Sequence, residues 1–89
     1  MPNIEQLVRD SFVDVLNEPG LQAGGLNIDR DMADEYGLTS LSKILLITSI
    51  CDEAQIDLRH FTEHDLADMR TLREVIAAMS RASSARLVS

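Results

Sequence analysis

Residues 37–54 read GLTSLSKILLITSICDEA, and this stretch decides the fold. A glycine-bounded turn leads into Thr39 and Ser40, residue types that favour helix starts, and an aliphatic run follows. At roughly 100° per residue, Leu46, Ile47, Ile50 and Ala54 gather on one side of a helix. That helix begins at Thr39 or Ser40 and runs to about Ala54. Leu41, Ile44, Leu45, Thr48 and Cys51 gather on the opposite side, with Ser42, Ser49 and Glu53 in the seam. Lys43 points toward the first cluster, but from the first turn its aliphatic stem can carry the ammonium out to water. A helix apolar on both sides is normally buried all round, and one small bundle rarely offers such a position. There are two expectations. Either the preceding loop lies over the second cluster, or that cluster stays exposed and meets a partner.

Outward from this helix, the pattern is helical in both directions. Asn3 followed by Gln6 is a capping-box variant, and Ile4, Leu7, Val8, Phe12, Val15 and Leu16 recur at helical spacing. This helix spans about residues 3–17 and stops at Asn17-Glu18-Pro19-Gly20. Residues 18–38 hold no sustained period, so they read as a long loop pinned by Leu21, Leu26, Ile28, Met32, Tyr36 and Leu38. Beyond Ala54, Asp57-Leu58 form a connector and Thr62 to Asp68 a short helix, with Thr62 as its cap. Thr71 and Glu74 form a capping box that opens a last helix with an apolar face of Leu72, Val75, Ile76 and Met79. After Ser80 the Ser/Ala/Arg composition predicts fraying. The expected fold is all-α: a small bundle of three main helices plus one short one, with a long loop between the first two. One domain covers residues 1–80, and residues 81–89 read as a flexible tail.

Composition narrows the function. The chain has 89 residues, with 8 basic and 15 acidic side chains for a net charge of −7. Residues 1–69 carry 4 basic and 14 acidic groups, whereas residues 70–89 carry 4 and 1. Such a surface disfavours nucleic acid and anionic membranes and suits a basic partner. The lone Cys51 excludes a disulfide framework and a multi-cysteine zinc site. A polar, acidic start and the lack of a long apolar run predict a cytoplasmic chain with no membrane association, and a monomer is expected.

Gly37-Leu38-Thr39-Ser40-Leu41 at the mouth of a helix resembles the modification motif of acyl carrier proteins, whose common form is Gly, any residue, Asp, Ser, Leu. The resemblance extends without gaps through the helix, where Ile44, Leu46, Ile47 and Ile50 fall on the family's apolar positions. It continues into Gln55-Ile56-Asp57-Leu58, and the stretches from Phe61 to Leu66 and from Met69 to Ile76 resemble the family's last two helices. About residues 3–79 are covered.

The resemblance implies a specific role. Ser40 would carry a 4′-phosphopantetheine arm as a phosphodiester, installed from coenzyme A by a phosphopantetheinyl transferase. The arm's thiol would hold acyl groups as thioesters, and the chain itself would catalyse nothing. Leu41, Ile44, Leu45, Thr48, Cys51 and Asp52 would form the face that docks on acyl-loading and acyl-processing enzymes. Thr39 stands where the family usually has Asp, a position associated with transferase recognition. Leu45 and Cys51 stand where the family often has acidic side chains. Both departures point toward a free-standing carrier of polyketide or nonribosomal-peptide type rather than of housekeeping fatty-acid synthesis.

Other readings compete. Ser40 by itself reads as a helix cap, and Ser42 is a second candidate hydroxyl. Asp29, Asp31 and Asp34 faintly resemble a calcium loop but lack its glycine and its terminal Glu. His60 and His64 have helical metal-pair spacing with no third ligand, so no metal site is expected. Cys51 reads as a partly exposed small hydrophobe rather than a nucleophile, and Arg81 and Arg86 as solvated. No Gly-x-Ser-x-Gly elbow supports a serine hydrolase. The alternative from a different class is a helical interaction module, similar to a sterile-alpha-motif domain, with no prosthetic group.

Overall fold

The computed structural model describes residues 3–88, with side chains through Ser83. It is all-α, and the described residues contain no strand. Helix α1 spans Ile4–Leu16, α2 Met32–Tyr36, α3 Ser40–Ala54, α4 Glu63–Asp68 and α5 Leu72–Val88, with 3₁₀ turns at Ala23–Gly25 and Leu58–His60. The three long helices and the short α4 stand where the sequence places them.

The starts are set by local chemistry. Asn3 accepts from the Gln6 N–H at 3.2 Å, while the Gln6 side chain turns away to Asp10. Thr62 and Asp65 make a reciprocal capping box, as do Thr71 and Glu74. At the other ends, Asn17 and Gln55 take left-handed conformations that turn the chain out of α1 and α3.

Helices α1 and α5 both pack on the rest of the bundle, α1 touching α3 and α5. The core joins Val8 and Phe12 of α1, Leu46, Ile47 and Ile50 of α3, and Leu72, Val75 and Met79 of α5, all essentially without solvent exposure. The α3 core arc is therefore the one read from the sequence.

The long loop differs from expectation in one respect: residues 32–36 form a helix. Asp31 caps α2, accepting from the N–H groups of Ala33 and Asp34 at 2.8 and 3.2 Å. Gly37 ends it at φ +70°, a conformation that favours glycine. Five residues are too few for a period to show. Met32 is buried, and Tyr36 packs edge-on to Phe12 at 5.2 Å between ring centres.

The path of the loop decides which side of α3 it can cover. Arg9 holds its first half against α1, donating to the Ala23 and Leu26 carbonyls at 2.9 and 3.3 Å. Its second half is tied to the start of α5. The Met32 N–H donates to the Arg70 carbonyl at 2.9 Å, the Arg73 N–H to the Ile28 carbonyl at 3.0 Å, and Asp29 pairs with the Arg73 guanidinium. The loop thus runs from α1 to α5.

At the end of the chain, helix α5 passes Ser80 unbroken to Val88, and Ala82 belongs to the core. The side chain of Arg86 lies outside the described residues.

Candidate functional site

The segment Gly37-Leu38-Thr39-Ser40-Leu41 divides its work residue by residue. Gly37 makes the left-handed turn out of α2. Leu38 plunges into the core. Thr39 is the N-cap of α3: its hydroxyl accepts from the Ser42 N–H at 3.1 Å and donates to the Ser42 hydroxyl at 3.0 Å. Ser40 is the first helical residue and is exposed. The cap reading of Ser40 is therefore corrected, because Thr39 supplies the cap. Ser42 is half-buried and already bonded to Thr39. Among the described residues nothing hydrogen-bonds the Ser40 hydroxyl, and the N–H groups of Ser40 and Leu41 meet no acceptor.

Two depressions border Ser40. One, of about 210 Å³, is lined in part by Asp31, Lys43 and Arg70. The other, of about 420 Å³, runs between α3 and α4 with Lys43, Ile44, Glu63, Leu66 and Ala67 along it. Lys43 is half-buried between them. Burial pushes its ammonium below the usual lysine range, partly offset by the fields of Asp31 and Glu74.

Below Ser40, the second arc of α3 faces solvent. Leu41 is 69% exposed, Ile44 50% and Leu45 55%. Thr48 and Asp52 are exposed as well. The loop crosses between α1 and α5 and leaves this arc open.

Cys51 departs from expectation. It is buried, only 3% exposed, and so leaves the predicted docking face. The left-handed Gln55 turns the chain back, the Ile56 N–H donates to the Cys51 carbonyl at 2.8 Å, and Leu58–His60 packs against α3. Burial, with a smaller contribution from Asp57, raises the Cys51 thiol to about 11, which makes it a poor nucleophile. The same return segment leaves Leu58 exposed near the end of α3, an apolar side chain that periodicity alone did not single out.

The other candidate groups pair with near neighbours, cap helices or lie exposed. Asp29 pairs with Arg73, whose hydrogen bond holds the carboxyl below its ordinary range, and Asp31 caps α2. The Arg59 guanidinium, 2.7 Å from Asp57, holds that carboxyl at about 2. His64 faces Asp68 at 3.5 Å on exposed α4, while His60 sits in the preceding 3₁₀ turn. Among the described residues no group of three His, Cys, Asp or Glu side chains is placed to hold a metal ion. No helix among them is long and apolar enough to cross a membrane.

The geometry thus brings together an exposed, unengaged hydroxyl, a helix start and an open aliphatic strip, all on one end and one face of α3. No protein-family model matches the chain, and no curated protein matches it.

Proposed function

We propose that this chain is a carrier protein bearing a 4′-phosphopantetheine arm on Ser40. The observation that carries the reading is the separation of roles at the start of α3. Thr39 does the capping, so the Ser40 hydroxyl stands exposed with no structural task. The site fits a phosphodiester. Two N–H groups without acceptors open the first turn of a 15-residue helix, whose positive end favours an anion. When bound, the arm supplies a thiol that holds acyl groups as thioesters.

The rest of the work falls to the surface. Leu41, Ile44 and Leu45, with Thr48 and Asp52 beside them, meet the transferase and then the enzymes that load and process the acyl group. Three aliphatic side chains are a small patch beside the about 800 Å² per partner typical of stable interfaces, which suits brief docking by a monomer. A cytoplasmic chain would meet the coenzyme A that supplies the arm. Thr39 and the aliphatic strip favour a dedicated carrier of polyketide or nonribosomal-peptide type.

Intact mass spectrometry tests this. Incubation with coenzyme A and a broad-specificity phosphopantetheinyl transferase adds the mass of one arm, and Ser40→Ala abolishes the addition while keeping the helical circular dichroism. An unchanged wild-type mass refutes the carrier reading and favours an interaction module. Addition to Ser40→Ala moves the arm to another hydroxyl.

A further inference from the structure

Lys43 is the chain's single lysine. It sits on the turn that follows Ser40, three residues on, where helical side chains are neighbours. It lines both depressions that border the Ser40 hydroxyl. Its side chain is half-buried, yet among the described residues no carboxylate pairs with it. That is an unusual place for a lysine. Covering an ammonium without a partner is unfavourable, and its depressed proton affinity reflects that covering. The neighbouring charges do not cancel it: Asp31, Asp68 and Glu74 act on it at a distance and Arg70 opposes them.

We infer that Lys43 is the counter-ion of the phosphodiester on Ser40. The inference rests on the carrier reading. A diester on the Ser40 oxygen keeps one negative charge at neutral pH and lies against the first turn of α3. The four-carbon stem of Lys43 lets the ammonium swing toward it without moving the helix. Pairing there fixes the base of the arm at the junction of the two depressions and gives the orphaned cation its partner. Lys43 is thus a positioning residue, coupled to the ligand's charge rather than to the acyl chemistry.

The single lysine makes the test unambiguous. Protein grown on ¹³C-lysine gives one side-chain Cε–Hε signal, whose shift is followed against pH before and after loading of the arm. The fields of Asp31, Asp68, Glu74 and Arg70 are common to both forms, so the difference isolates the arm. An opposite charge favours the ammonium. The loaded form should therefore titrate higher by about half a pH unit or more, a rise that shrinks at high salt. Superimposable curves, in a sample whose mass shows the arm on Ser40, overturn the inference and leave the carrier reading standing. A sample whose mass shows no arm refutes the carrier reading, and the inference falls with it.

Discussion

The two arcs of α3 make opposite predictions for two substitutions two residues apart. Ile47 is fully buried in the core, whereas Leu45 keeps more than half of its surface in water. Ile47→Ala removes packed methyl and methylene groups and leaves a cavity, costing about 2–5 kcal/mol. For an 89-residue chain, whose total stability is about 5–10 kcal/mol, that is a large fraction. The melting temperature should fall by roughly 10–30 °C. Leu45→Glu replaces one good helix former with another on an open face, so its cost should stay near about 0.5 kcal/mol. On the proposed carrier reading its effect belongs to docking. Fully burying a Leu is worth about 1.5–3 kcal/mol, and nearly half of that is already realised in the free protein. About 1 kcal/mol remains for a partner, and a carboxylate in its place adds a desolvation penalty. Loading by the transferase should therefore lose about tenfold or more in kcat/KM. Urea denaturation of both variants, with loading rates followed by mass spectrometry, decides the matter. Should Leu45→Glu unfold the protein as badly as Ile47→Ala, or load at the wild-type rate, the open-face argument is wrong.

Two further outcomes concern the site and its surroundings. Thr39→Asp keeps a side chain suited to capping and adds a negative charge at the positive end of α3, so stability should hold or rise slightly. With a housekeeping-type transferase its loading rate should rise, and an unchanged or slower rate removes the idea that this position sets transferase choice. Cys51 should resist iodoacetamide in the native protein at pH 8 and react promptly in denaturant. A thiol raised to about 11 holds almost no thiolate at that pH, and burial blocks access; rapid native alkylation would show that the segment from Gln55 to His60 does not cover it.

Local signals carried most of the helical framework. Thr62 and Thr71 are followed by the partners that close their capping boxes, Asn3 caps α1 with its own side chain, and the pattern places α1, α3, α4 and the start of α5 because each cap is made within a few residues. The core arc of Leu46, Ile47 and Ile50 was equally legible, since periodicity is a property of the helix itself. The Gly37-to-Leu41 motif was visible as well, but not its division of labour. Thr39 and Ser40 are both good cap residues, and only the fold of the turn after Gly37 gives the cap to Thr39 and leaves Ser40 exposed.

What the sequence could not decide was which apolar surface is covered, because that depends on where distant segments travel. Arg9 and Arg73 hold the long loop along α1 and α5, and so Leu41, Ile44 and Leu45 remain in water. The same kind of long-range choice works the other way at Cys51. It lies near Ile44 on the helical wheel, yet Gln55 turns the chain back and Ile56 returns against it. Helix α2 was hidden by its shortness, and the last turns of α5 by a Ser/Ala/Arg composition without a clear apolar period, although Ala82 is buried. Caps and periods are written in adjacent residues; burial is a relation between residues far apart in the chain, and only the assembled bundle fixes it.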